Sequence, residues 1–187
     1  LDVKPIWEFI GLEDARIVVW EGRTFLCGVR RDTTPNGVGR MELSEIENGK
    51  EINRYRIEPP NGYTYCEKNW MPILDMPYHY VKWTNGTEVV RYDIEKNKTY
   101  QVQVKPWKDL GCLDLRGGSQ VIRMNSQYRF SLCHETYLTQ SEQGRKDGTY
   151  RHRFVIWDND WNIVKVSKQF CFLNAEIEFA VGMCKYE

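Results

Sequence analysis

The chain has 187 residues, with 26 basic against 26 acidic, so its formal charge at pH 7 is +0. Balanced charge argues against a nucleic-acid binder, which shows a basic excess. No apolar run approaches the ~20 residues that span a bilayer, so no membrane partner is expected.

Aromatic content is high, with 7 Trp, 11 Tyr and 7 Phe, enough to build a sizeable core. The six cysteines, Cys27, Cys66, Cys112, Cys133, Cys171 and Cys184, form no CxxC or CxxH pair, so no metal site is expected. Most lie in apolar runs and read as buried, reduced thiols rather than as a secreted disulfide framework. The chain opens on Leu1 rather than Met and is read as a piece of a longer polypeptide, so targeting is not legible from this end. A cytoplasmic location is the default expectation.

Almost nothing reads as helix. Short runs rich in Val, Ile, Tyr, Trp and Phe read as strands at 16–20, 24–29, 40–43 and 53–57. Further runs follow at 79–83, 88–92, 99–104, 120–124, 128–133, 151–157, 163–166 and 178–181. Glu21-Gly22, Asn85-Gly86 and Asp158-Asn159-Asp160 supply tight-turn chemistry, and Pro35-Asn36-Gly37 opens a longer loop.

Four short motifs open successive groups of these strands: Glu13-Asp14-Ala15-Arg16, Lys68-Asn69-Trp70-Met71-Pro72, Gly117-Gly118-Ser119-Gln120 and Glu176-Ile177-Glu178-Phe179. Their spacing of about 50 to 60 residues suits propeller blades. Polar residues returning at one phase of a β-rich repeat predict a shared site on a central axis. A β-sandwich would also give many short strands, but it does not explain the common phase. The expected fold is all-β, an incomplete β-propeller of four-stranded antiparallel blades at about 11–60, 66–106 and 115–173. A further blade would start at 174–187. The absent blades are expected in the rest of a longer polypeptide or in another chain, because an open array leaves strand edges unpaired.

Each motif carries usable chemistry beside a plainer reading. On a regular strand Asp14 and Arg16 share a face, so Arg16 could hold a carboxyl group in place for general acid catalysis; a surface ion pair is the alternative. Lys68 and Asn69 could bind hydroxyls or phosphate and Trp70 could stack on a sugar, or a solvated lysine merely adjoins a buried indole. His134, in Cys133-His134-Glu135, could donate to a ligand or relay a proton, or be structural. Gly118 lets backbone approach a ligand or a neighbour. Glu178, between Ile177 and Phe179, is either the exposed phase of a strand or a pocket carboxyl. No phosphate-loop pattern surrounds Gly117-Gly118.

In their order, Glu13-Asp14-Ala15-Arg16, Lys68-Asn69-Trp70-Met71-Pro72, Gly117-Gly118, His134-Glu135 and Ile177-Glu178-Phe179-Ala180-Val181-Gly182-Met183 resemble motifs of the five-bladed β-propeller glycosidases. The similarity is to the mannoside phosphorylase and β-1,2-mannosidase family and its glycosyltransferase relatives. It implies an inverting enzyme that makes or breaks a mannoside-type bond in an oligosaccharide or glycoconjugate, with Asp14 as general acid, Arg16 positioning it or binding substrate, and Lys68, His134 and Arg30, with which Arg31 competes, binding substrate. Inorganic phosphate is implied as a candidate co-substrate, and no other cofactor. Glu135 stands where a Gly is usual in the phosphorylases, and the Lys-Asn motif continues as Trp-Met-Pro. Both departures leave room for a hydrolase with Glu178 or Glu135 as base, or for a transferase. A sugar-binding or protein-interaction propeller without catalysis is the expectation from another class.

Overall fold

The computed structural model describes residues 11–34, 37–62, 64–112, 114–140 and 146–185, and among them there is no helix. The first sheet runs β1 (Glu13–Trp20), β2 (Arg23–Arg30), β3 (Arg40–Glu47) and β4 (Lys50–Ile57), antiparallel and in chain order. The second runs β5 (Met71–Pro72), β6 (His79–Trp83), β7 (Glu88–Asp93) and β8 (Lys98–Val104) in the same manner. In the third, β9 (Leu115–Gly117) and β10 (Ile122–Arg123) both pair with β11 (Tyr128–Gln140), which is followed by β12 (Lys146–Asp158) and β13 (Ile163–Val166).

Turn chemistry explains the simplest hairpins. Glu21 and Gly22 have φ of 54° and 76°, and Asn48 and Gly49 have 50° and 74°. Positive φ at both central residues is what a two-residue hairpin turn needs to match the twist of its strands.

Alternating side chains on a strand point to opposite faces, and the second sheet buries both. Tyr80 and Val90 join Trp20, Phe25, Cys27 and Leu43 of the first sheet in one core. Their neighbours Val81 and Val89 join Cys133, Val155 and Trp157 of the third sheet in another. The three sheets therefore pack face to face in chain order. The buried indoles also find polar partners: Trp20 Nε1 donates to Ile73 O at 3.1 Å and Trp157 Nε1 to Thr87 Oγ1 at 3.1 Å. The outer face of β1 keeps Ile17 and Val19 exposed, at 62% and 58%.

The leading segments of the sheets touch. Val121 N donates to Pro72 O at 2.8 Å and Leu74 N to Val121 O at 3.0 Å, which ties the third sheet to the second. Gln120 Nε2 donates to Ile17 O at 2.8 Å and Arg16 Nε to Gly118 O at 2.7 Å, which ties the third to the first. Gly117 and Gly118 make this meeting sterically feasible. A Cβ on Gly117 would lie 2.0 Å from Asn69 O, and one on Gly118 would lie 2.4 Å from Leu132 O.

The grouping into successive antiparallel sheets follows the sequence pattern, while the third sheet has five strands rather than four and several details differ. The run at 178–181 is not a strand. The segment 174–185 is instead tied down by Tyr150 N to Glu176 O at 2.8 Å and Met183 N to Gln120 Oε1 at 3.0 Å. The run at 120–124 shortens to β10, and β5 and β9 arise where no strand pattern stands in the sequence. Asn85-Gly86 lies in a four-residue connection between β6 and β7, not a two-residue one. Pro35 and Asn36 lie outside the described residues.

Gly117→Ala is expected to destabilise the chain by about 3 kcal/mol, because backbone rather than a movable side chain blocks the added methyl. Gly148→Ala, whose Cβ would meet only side-chain atoms at 3.6 Å and beyond, serves as control. Urea unfolding of the two variants checks this, and equal midpoints would count against the steric argument.

Candidate functional site

Gly117 and Gly118 gather residues from all three sheets. On the first sheet, a bulge between Glu13 and Arg16 breaks the strand alternation, and Asp14 takes a left-handed φ of 51°. A short polar side chain tolerates this conformation better than most. Asp14 consequently turns outward and is exposed, while Arg16 is 1% exposed. Arg16 Nη1 donates to the Asp14 carbonyl at 2.8 Å, and its Nε takes Gly118 O. The arginine thus clamps the main chain under Asp14 and not, as strict alternation predicts, its carboxyl group. Burial lowers the Arg16 pKa, against the pull of Cys27 and Asp14, and its Nη2 has no hydrogen-bond partner.

The second sheet opens with the same backbone device, because Asn69 has φ of 61°. Asn69 is 8% exposed, and its Oδ1 has no hydrogen-bond partner. Lys68 is exposed and forms no ion pair among the described residues. Trp70 is wholly buried and donates Nε1 to Glu67 Oε2 at 2.9 Å. It has no free face for a sugar, so the stacking role expected of it does not fit its position.

Lys68 and Asn69 line a cleft of ≈ 220 Å³ between the second and third sheets, together with Lys82, Trp83, Asp114 and Arg116. Trp83 is 49% exposed and forms an aromatic wall that the sequence did not single out. Lys82 is fixed between Glu67 at 3.4 Å and Glu88 at 3.7 Å.

His134 pairs in register with Arg116 on one side and His152 on the other. Its ring stacks on Tyr150 at 4.8 Å and meets Phe179 edge-on at 5.1 Å, and Phe179 in turn lies 5.3 Å from the Arg16 guanidinium. Burial, then the positive charges of Arg116, His152, Arg16 and Lys68, bring the His134 pKa down to about 3. The imidazole is therefore neutral at physiological pH, and its Nδ1 has no hydrogen-bond partner.

The other expected site residues lie apart from this group. Glu135, next to His134 on a strand, points to the opposite face. It is wholly buried, 3.0 Å from Arg153 Nε, and borders a separate hollow with Tyr137 and Cys112. Arg30 pairs with Asp32 at 3.0 Å and approaches the buried Glu42 at 4.0 Å, in a charged cluster that includes Arg54 and Arg56. Glu178 accepts the amides of Phe172, Leu173 and Ala175 at 2.6, 3.0 and 2.9 Å and lies 3.7 Å from His152 Nε2. Those amides, Phe172 foremost, hold its pKa below the usual carboxylate value, which makes it a poor base.

Burial pushes the thiols of Cys27 and Cys133 up to about 12, so neither is a ready nucleophile. Among the described residues no group of three His, Cys, Asp or Glu could hold a metal ion.

No protein-family description, no curated protein and no solved structure matches this chain.

All three histidines have folded-state pKa values below their ordinary value, mainly through burial. The unfolded chain therefore binds more protons as pH falls through about 6.5, so stability is full above that value and declines below it. With His134 at about 3, this residue alone is expected to cost about 2 kcal/mol between pH 7 and pH 5. Denaturant unfolding across that window measures the slope, and His134→Gln should flatten it. An unchanged slope would contradict a neutral, buried His134.

Proposed function

We propose that the chain is part of a β-propeller and acts on a glycosidic bond at the end where its leading strands meet. Three consecutive antiparallel sheets of four, four and five strands, packed face to face with touching inner segments, support the blade reading. The observation that carries the chemical reading is Asp14: an exposed carboxyl on a left-handed bulge, with its own carbonyl clamped by a buried arginine. Holding a group in an uncommon backbone conformation is often part of an active site's design.

Arg16 ties that bulge to Gly118, and Gly117 abuts the Asn69 backbone. Through these two contacts Asp14 belongs to the same assembly as the Lys68–Asn69–Trp83–Arg116 cleft. In this reading the protonated Asp14 carboxyl donates its proton to the leaving oxygen, and phosphate attacks the anomeric carbon from the opposite face, with inversion, to form a sugar 1-phosphate; water as nucleophile would release its proton to solvent. Arg16 acts on Asp14 as a positioning residue. Trp83 offers the sugar-stacking surface, and Lys68 and Asn69 bind polar groups of the substrate. Glu178 acts as a structural carboxylate, which closes the 172–175 turn. An activated-sugar transferase would use the same frame, with Asp14 taking a proton from the acceptor.

A second reading, a sugar-binding module without catalysis, is favoured by the half-exposed Trp83 in a cleft that stands complete without Asp14. Asp14→Asn separates the two. Turnover on a panel of mannosides, with and without inorganic phosphate, is expected to fall by about 10²–10⁴-fold, while sugar affinity measured by calorimetry stays the same. Full turnover in the variant would remove Asp14 from the mechanism. Sugar binding with no turnover in either protein would favour the binding module.

A further inference from the structure

Resting on the carbohydrate reading above, we infer that the cleft between the second and third sheets takes an acidic sugar. Its carboxylate or phosphate would lie on Lys68 and Arg116, its ring against Trp83, and one of its hydroxyls would donate to Asn69 Oδ1.

Lys68 is an exposed cation without an ion-pair partner among the described residues. Arg116 has one carboxylate nearby: its Nε lies 3.7 Å from Asp114 Oδ2, with the two side chains 37% and 69% exposed. A long, solvated pair of this kind is weak, so the guanidinium remains able to grip an anion through two parallel donors. Lys82 is different. Its side chain is 7% exposed and neutralised by Glu67 and Glu88, so it forms part of the wall rather than a ligand. The cleft thus offers two usable cations against one exposed carboxylate. Burial is the largest cause of the depressed His134 pKa, and Arg116 and, least, Lys68 add to it.

The Asn69 oxygen asks for something else. It is a buried acceptor without a donor, in a residue 8% exposed and fixed at φ of 61°. Buried polar atoms are usually paired, so an unpaired acceptor on a residue that lines a cleft offers a contact to a ligand hydroxyl once the Asn69 side chain turns toward it. An anionic oxygen would be repelled there, whereas a hydroxyl would be bound. A bare anion satisfies the cations alone, and a neutral sugar satisfies the acceptor and the indole alone. A sugar ring carrying an acidic group satisfies all of them.

Calorimetric titration of the 187-residue chain tests this at low salt with four probes: a neutral hexose, the corresponding hexuronate, the hexose 6-phosphate and inorganic phosphate. At least one acidic sugar is expected to bind about tenfold tighter than the neutral hexose, the increment of one charge-assisted contact. Which of the two wins distinguishes carboxylate from phosphate. Lys68→Ala, a surface change expected to leave the fold intact by circular dichroism, should remove that advantage. Asn69→Asp keeps a residue type that tolerates the left-handed conformation and should weaken the acidic sugar more than the neutral one.

Equal affinity for neutral and acidic sugars would overturn this inference and leave the carbohydrate reading standing. Inorganic phosphate binding as tightly as the sugar phosphate would overturn it in favour of a simple anion site. Absence of binding by every sugar would sink both. Turnover is not measured, so the outcome is separate from the fate of Asp14.

Discussion

The contact on which the rest of the structure depends is a place where backbone meets backbone with no side chain between. At Gly117 the third sheet lies against the Asn69 carbonyl of the second, and at Gly118 its own Leu132 carbonyl and Ala180 of the tail close in. The Gly118 oxygen in turn receives Arg16 from the first sheet. Even one methyl group would hold these segments apart. The absence of two Cβ atoms is thus what brings side chains from distant parts of the chain around one point.

That closeness sets the electrostatics. Arg16 is buried without a carboxylate in hydrogen-bond contact, which is an expensive arrangement, offset here by two main-chain carbonyls and the face of Phe179. Arg116 and Lys68 add further positive charge, and His134 stays neutral among them. The region combines exposed polar groups at its mouth with unpaired buried polar atoms beneath: Arg16 Nη2, Asn69 Oδ1 and His134 Nδ1. Among the described residues, buried polar atoms without a hydrogen-bond partner also occur elsewhere, at Glu42, Tyr80 and Arg153 among others, but here three different parts of the chain bring one each to the same place.

Much of the frame was legible in the sequence because it rests on period and turn chemistry. Runs such as Glu88 to Tyr92 carry β-rich composition, and Glu21-Gly22 announces its hairpin. Asn48-Gly49 carries an equally clear turn signal. β5 and β9 could not be read this way: with two and three residues they have no period, and pairing with β6 and β11 is what makes them strands. The face of Asp14 was misread because a bulge overrides alternation, and nothing in Glu13-Asp14-Ala15-Arg16 announces a bulge. Trp83 gave no signal because an indole at a strand end looks the same whether it faces a core, water or a cleft. Arg116 joins Lys68 only through the fold. Glu178 illustrates the reverse: its motif looked like a pocket carboxyl, while its oxygens serve three amides of the preceding turn.

The hairpin of β11 and β12 outgrows the sheet it belongs to. Its strands have thirteen residues each, while β10 and β13 have two and four. β9 accompanies β11 only as far as Glu135, and the tail's Glu176 accompanies β12 at Tyr150. Among the described residues no further strand pairs with the two from Tyr137↔Thr149 outward, and an isolated pair of strands is marginal in water. The ribbon therefore divides into a clamped root and a loosely held arm. Amide protons near Cys133 should outlast those around Leu138 by orders of magnitude in deuterated solvent, with the change of regime falling between Thr136 and Tyr137.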